Sequence, residues 1–336
     1  MFPKMESGPA IRRAVDALPT GRWLLAVSGG RDSMVLLDAL ADRRREGIAG
    51  VATFDHGTGA SATAAADFVV REASARGLVV VRGGAAGTLA RTEAAWRAAR
   101  WAFLHAAASA LRARVVTAHT RDDQIETVLL RLLRGAGPRG LAGMLAADPF
   151  DPADPSESTE RQGPATPLRP LLTLPRAAVA AYASAHRVPF RDDPSNATPD
   201  FQRNRVRQEI LPALERVDPG FGEWCWALGG RAAEWRAQVE ALVTSLGVRR
   251  LAPHRVTVPV AAVAALDEAA WAVCWPAIAA RAGVVMDRRG VARAARWAPT
   301  AQVGQTIPLT GGARLSRTRA TYVVEGTVRG AGDYIP

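Results

Sequence analysis

Two short stretches carry residue types that can do chemistry at a spacing that brings them together. The first is Ser28-Gly29-Gly30-Arg31-Asp32-Ser33, set between the apolar runs Trp23–Val27 and Met34–Leu40. A glycine-rich turn from a strand into a helix leaves backbone N–H groups without partners, and the helix dipole adds partial positive charge there. Such a turn favours an anion, phosphate above all. Gly29 and Gly30 let a ligand approach the backbone closely. The turn has no lysine in the manner of GxxxxGK[ST], and it fits neither GxGxxG nor GxSxG. That excludes a γ-phosphate cradle, a dinucleotide turn and a nucleophile elbow. Asp32 lies inside the cradle, and a carboxylate beside phosphates needs a cation between them, so Asp32 implies Mg²⁺. The bland alternative is a tight turn that holds nothing.

The second stretch is AHTRDDQIETVLLRLLRG, residues 118–135. Thr120 followed three residues later by Asp123 has the form of a capping box. On the helix that follows, Asp123, Glu126 and Leu130 share one face, with Arg134 further along it. A carboxylate in the first turn, at the same sheet edge as Asp32, makes a second metal or base position. His119 reads equally well as a hydrogen-bonded strand-end histidine or as a ligand. With Asp123 and Glu126 it lacks the fourth ligand a structural zinc requires. Arg97 and Arg100 stand one turn apart, either as a solvated face or as a clamp on an oxyanion. Two clusters, RLLRGAGPRG with Arg131 and Arg134 and FQRNRVRQ with Arg203 and Arg207, favour the phosphates of a large anion over one small substrate.

Elements must hold these residues in place. Strand-like runs at Trp23–Val27, Gly50–Phe54, Leu78–Arg82 and Val115–Ala118 alternate with helical patterns at Ser33–Arg45, Ala62–Arg76 and Glu93–Leu111. This alternation predicts an α/β fold, a mainly parallel, doubly wound sheet. Ligands bind such sheets at the carboxyl ends of the strands. Ser28–Ser33, Asp55–His56 and His119–Asp123 all fall at such ends. The boundary is expected near residue 214, giving a first domain of 1–214 in which 148–167 is a flexible, Pro- and Asp-rich loop. Residues 215–336 then read as a mostly helical domain, with a long helix over Phe221–Leu246 and further helices near Asp267–Arg281 and Asp287–Trp297. The tail reads as short strands around a Gly-Gly turn.

The chain has 336 residues and a net charge of +11, which points to a polyanionic partner, nucleic acid first. Lys4 is the sole lysine, so an arginine-rich compositional bias is the competing explanation of that charge. Two distant cysteines, Cys225 and Cys274, exclude a disulfide scaffold and suit a reducing cytoplasm. No apolar run is long enough to span a membrane, and the N-terminus does not read as a signal peptide.

SGGRDS resembles the pyrophosphate-loop signature of the N-type ATP pyrophosphatases. HGTGASATAAADFV, EAAWRAARWAFL, AHTRDDQIETVLLRLLRGAGPRGLAGM, RPLL and DDPSNATPDFQRNRVRQEILP, in that order, resemble the blocks of the tRNA(Ile)-lysidine synthetase family over about residues 22 to 214. HGTG stands where HGLR is more frequent, and residues 215–336 resemble the family's helical accessory domain only loosely.

The resemblance implies a pyrophosphate-loop fold, with a C-terminal domain that binds tRNA. It implies ATP and Mg²⁺ as cofactors, and free lysine and a tRNA(Ile) with a CAU anticodon as partners; a homodimer is left open. Under it, Ser28, Gly29, Gly30, Arg31, Asp32, Ser33, Arg100 and His119 bind ATP. Asp32 and Asp123 are catalytic and hold the metal, and Asp123 holds the lysine amine or the metal. Arg131, Arg134, Arg203 and Arg207 meet tRNA. The rivals are a sulfur-inserting tRNA enzyme, which usually carries paired cysteines, and a non-catalytic RNA-binding protein.

Overall fold

The computed structural model describes residues 7–85, 92–146, 166–191 and 202–327. The loop expected over 148–167 lies, up to residue 165, outside the described residues, as do 192–201 of the DDPSNATPDFQRNRVRQEILP block. By internal contacts the described residues divide into one unit running to Arg231 and another beginning at Ala232.

In the first unit the order is α1 (Ser7–Asp16), β1 (Trp23–Ala26), α2 (Arg31–Arg43), β2 (Ile48–Asp55), α3 (Ala60–Ala75), β3 (Val80–Gly84), α4 (Glu93–Ala110), β4 (Arg114–Val116), α5 (Arg121–Leu133) and α6 (Arg176–Ala185). A helical segment follows with a π turn, Val206–Ile210, between Gln202–Arg205 and Leu211–Val217. The turn has a local cause. Pro212 has no N–H and its ring crowds the carbonyl four residues before it, and the ladder accommodates this through Leu211 N–H bonding to Val206 O. The first part of α7 (Phe221–Ser245) closes the unit.

The four strands are parallel in the order β3-β2-β1-β4. Helices cover both faces, as β1 shows residue by residue. Trp23 and Leu25 point into a core with Ile11, Met34, Leu37, Val69 and Tyr182, while Leu24 between them packs with Trp101, Leu104 and Val115 from α4 and β4. The sheet is therefore doubly wound. The direction in which strands are added reverses between β1 and β4, where the order leaves 3-2-1 for 4.

The second unit holds the rest of α7, then β5 (Arg249–Ala252), β6 (Arg255–Pro259), α8 (Glu268–Ala280), α9 (Arg288–Trp297), β7 (Thr306–Pro308), β8 (Arg314–Arg317) and β9 (Thr321–Glu325). The strands form an antiparallel sheet in the order β5-β6-β9-β8-β7, with Gly311 and Gly312, both at positive φ, between β7 and β8. Val256, Val258, Leu315, Tyr322 and Val324 put the inner face of this sheet on the core. Trp271 and Trp275 of α8 stack there at 4.9 Å, with the Tyr322 ring edge-on to both. Among the described residues no helix is long and apolar enough to cross a membrane.

The packing of β1 against the turn that enters β2 is tight enough to test. A Cβ added to Gly47 would lie 2.3 Å from the ring of Trp23, which is fully buried. Gly47→Ala is expected to destabilise the first unit by about 1–3 kcal/mol through overpacking. A thermal-unfolding midpoint equal to wild type would show that the ring yields without cost.

Candidate active site

The crevice at the β1/β4 reversal is where an open α/β sheet offers a binding site, and the loops after both strands flank it. After β1 the chain enters the glycine turn with Gly29 at φ 88°, a conformation that disfavours any side chain. A Cβ there would also approach Ala65 O of α3 to 3.3 Å. The Ser33 hydroxyl donates to Gly30 O at 2.9 Å and accepts from Ser28 N–H at 3.2 Å, which folds the turn back on the start of α2. Gly29 O is held by Arg191 N–H at 3.0 Å. Arg31 Nε donates to Asp32 Oδ1 at 3.3 Å. Burial raises the Asp32 pKa above the ordinary carboxylate value, against the opposing pull of Arg176 and Arg31.

After β4, Thr117 Oγ1 lies 2.8 Å from His119 Nδ1, and Thr120 opens α5. The capping box forms: Thr120 N–H and its hydroxyl both donate to Asp123 Oδ2, at 2.8 and 2.9 Å. The other carboxylate oxygen, Asp123 Oδ1, faces three guanidiniums. It accepts from Arg176 Nη2 at 3.0 Å, Arg203 Nη2 at 3.2 Å and Arg207 Nη2 at 3.4 Å.

Glu126, one turn on and 1% exposed, binds the same three. Arg207 grips it through Nε at 2.6 Å and Nη2 at 2.9 Å, a two-pronged fork. Arg203 Nε adds a bond at 2.9 Å and Arg176 Nη2 one at 3.2 Å. Arg176 Nε also lies 3.7 Å from Asp32 Oδ2, so this side chain joins the second loop to the first. Burial alone would raise the Asp123 pKa; Arg203, Arg176, His119 and the Thr120 N–H together hold it down, at about 2. His119 moves down as well, to about 3, through burial and the charges of Arg169, Arg203 and Arg100, with Asp123 opposing, so its imidazole is neutral at pH 7.

The structure thus brings Ser28–Ser33, Asp32, His119, Asp123, Arg203 and Arg207 to one place, and Arg100 near enough to act on His119. It gives three of these a different setting from the one the sequence suggested. Arg203 and Arg207, expected at tRNA phosphates, are turned inward onto Asp123 and Glu126. Their spacing of four puts both on one side of the segment that contains the π turn. Asp123, expected to hold a metal, has its lone pairs occupied by five donors. Among the described residues no group of three His, Cys, Asp or Glu side chains is arranged to hold a metal ion.

Arg131 donates to Gly140 O and Arg134 to Gln202 Oε1. Arg176 escaped sequence reading, although a signal existed. An arginine at the first position of a helix opposes the dipole and needs another reason to be there. Its reason is the carboxylates it faces, and its own N–H donates to Asp122 Oδ2 at 2.7 Å.

One further side chain sets the shape of the loop after α5. The fully buried Gln124 donates to Ala142 O at 3.0 Å and accepts from Met144 N–H at 2.7 Å. Gly143 and Gly229 flank it so closely that a Cβ on either would lie 2.5 or 2.7 Å from its amide.

Residues 5–214 match the PP-loop domain family. A tRNA(Ile)-lysidine synthase of Salinispora tropica is 44% identical over 215 residues, 62% of this chain and 61% of that protein. The chain therefore spans less than two thirds of that relative. One from Thermobifida fusca is 40% identical over 240 residues, 69% of this chain and 68% of that protein. Among solved structures, the U34-tRNA thiolase NcsA of Methanococcus maripaludis aligns with a TM-score of 0.52 at 15% identity, covering 68% of this chain and 78% of that one; the likeness is one of fold.

The two depressed pKa values make separable demands on stability. A histidine at about 3 in the folded chain and near 6.5 unfolded refuses a proton that the unfolded chain accepts. Stability is therefore full above about pH 6.5 and falls as pH drops towards 3. The Asp123 contribution is present above about pH 4 and is lost only as pH falls through about 2. His119→Gln is expected to flatten the unfolding midpoint between about pH 6.5 and 4 relative to wild type. Parallel profiles for the two proteins would rule out a buried neutral imidazole.

Proposed function

The chain belongs to the PP-loop family, and we propose that it forms lysidine in a tRNA(Ile) with a CAU anticodon, using ATP and free lysine. In the first step the C2 oxygen of the wobble cytidine attacks the α-phosphate of ATP, and pyrophosphate leaves. In the second the lysine ε-amine attacks C2, and AMP leaves with the oxygen. The observation that carries the reading is the Ser28–Ser33 turn at the sheet reversal, with a carboxylate inside it and no lysine to reach a γ-phosphate. The relatives named above, which share 40–44% of residues over the matched region, supply the substrate class. Two buried cysteines, Cys225 and Cys274, are too few to hold an iron–sulfur cluster by thiolates, which disfavours sulfur insertion.

The chain's own groups divide the work. N–H groups of the turn and the Ser28 hydroxyl hold the departing pyrophosphate. Among the described residues Asp32 accepts a single hydrogen bond, from Arg31, and it is half-buried, so it has acceptor capacity for Mg²⁺. The ion would offset charge on the phosphates. Asp123 is already saturated by arginine N–H groups, so it fits an exchange in which the lysine ammonium replaces a guanidinium on Asp123 or Glu126. Held near 2, Asp123 is a weak base, so it acts as a counter-charge that positions the amine rather than as its proton acceptor. Arg100 and His119 border the nucleotide, Arg131 and Arg134 face the tRNA, and Arg203 and Arg207 position Asp123 and Glu126. Residues 215–336 act as a tRNA-binding accessory region, and the site of action is the cytoplasm.

The test uses α- and γ-labelled ATP in parallel with tRNA and lysine. The expected products are AMP and pyrophosphate in equal amounts, with one lysine fixed per tRNA and an adenylated tRNA accumulating when lysine is withheld. Asp32→Asn should lower adenylation by orders of magnitude while tRNA still binds. Release of ADP and phosphate would overturn the reading of the turn; AMP release with sulfur entering the tRNA would overturn the reaction.

A further inference from the structure

The second unit carries a charge imbalance that its own folding uses only in part, as where the buried Arg281 pairs with Glu240. Between residues 249 and 325 eleven arginines stand against four carboxylates. Of those four, Glu325 is paired with Arg255 and Asp287 caps α9 through Gly290 N–H at 2.6 Å. Four of the arginines, Arg288, Arg289, Arg293 and Arg296, lie on α9, and all four are exposed. At about 1.5 Å per residue and about 100° per step they form one stripe, roughly 12 Å long and 140° wide. No ion pair engages any of them among the described residues. Arg293 and Arg296 are steered by single bonds to carbonyl oxygens, of Pro308 and Ala292, which leave their remaining N–H groups pointing outward.

The opposite side of the helix is fixed. Gly290, Ala294 and Ala295 are buried against α8 and the sheet, and Asp287 N–H donates to Thr310 Oγ1 at 3.3 Å. A membrane-surface helix needs its apolar side free to enter lipid; here that side is consumed by the core, and the outward stripe offers charge alone. A rigid row of guanidiniums without carboxylates suits a row of phosphates, and 12 Å matches on the order of three phosphates of one nucleic-acid strand.

We propose that α9 is the phosphate-backbone grip of the second unit, with Arg288, Arg289, Arg293 and Arg296 binding the sugar-phosphate chain of the tRNA away from its reacting base. This rests on the tRNA reading above.

The test compares the full chain with a variant in which all four arginines become alanine and one in which all become lysine. Alanine raises helix propensity, so α9 is kept. A tRNA(Ile) transcript with a CAU anticodon is titrated across about 50 to 200 mM salt. The alanine variant is expected to bind at least tenfold more weakly at low salt, with the log–log salt slope reduced by about three at roughly 0.9 per phosphate contact. The lysine variant should keep the slope, and ATP binding should be unchanged in both. An alanine variant with the wild-type slope would overturn the grip while leaving the tRNA reading intact. Equal weakening in both variants would overturn it too, since packing rather than charge would then be lost. So would loss of binding to phosphatidylserine vesicles with unchanged tRNA binding. A wild-type chain that does not bind this tRNA would bring down the reading on which the grip rests.

Discussion

A carboxylate that is 1% exposed constrains the first unit more than any other group in it. Glu126 cannot be taken out of water alone, since an unpaired buried charge costs several kcal/mol. Its partners come from segments 50 and more residues later: Arg176 from the start of α6, and Arg203 and Arg207 from the segment with the π turn. Those segments are therefore obliged to dock on α5. The same guanidiniums take up Asp123 Oδ1, which leaves Oδ2 for the Thr120 cap, so the cluster also settles how α5 begins and where His119 stands at the end of β4. Three guanidiniums against two carboxylates leave one positive charge, and the approach of Arg176 to Asp32 directs it towards the glycine turn.

The same surroundings push two neighbouring aspartates in opposite directions. Asp32 is desolvated without enough donors and rises; Asp123 is desolvated among an excess of them and falls. One site thus offers an acceptor with room for a cation beside an acceptor already committed to cations. Groups of equal chemistry acquire unequal roles from hydrogen-bond supply alone.

Much of this was legible in the chain. An unbroken apolar run marked β1 and strand-like runs marked β2 and β4, and the glycine turn and the Thr120–Asp123 spacing marked the loops that follow β1 and β4. β3 runs two residues further than its apolar stretch suggests, because Gly83 and Gly84 extend it; the Phe103 ring occupies the space a side chain at Gly83 would need. β5 escaped reading for a plain reason: all four of its residues are exposed, so no alternation marks it. The arginines were the harder problem. Arg203 and Glu126 are 77 residues apart, and nothing in a local pattern tells an arginine facing solvent from one facing a carboxylate brought in by the fold. Basic clusters near a phosphate-binding turn read naturally as surface, and here Arg203 and Arg207 of one cluster are turned onto a buried carboxylate.

The Gln124 amide, enclosed between Gly143 and Gly229, has a bearing on how this sequence can drift. A methyl group at either glycine collides with the amide, whereas shortening Gln124 to make room strands Ala142 O and Met144 N–H without partners. Each single step is penalised, and Gly143, at φ 62°, resists a side chain even where room is made for it, so the three positions hold one another in place. Descendants of this chain are expected to keep glutamine together with both glycines. Residues 124, 143 and 229 should then be held as one character in a lineage, even though none of them touches the reacting groups.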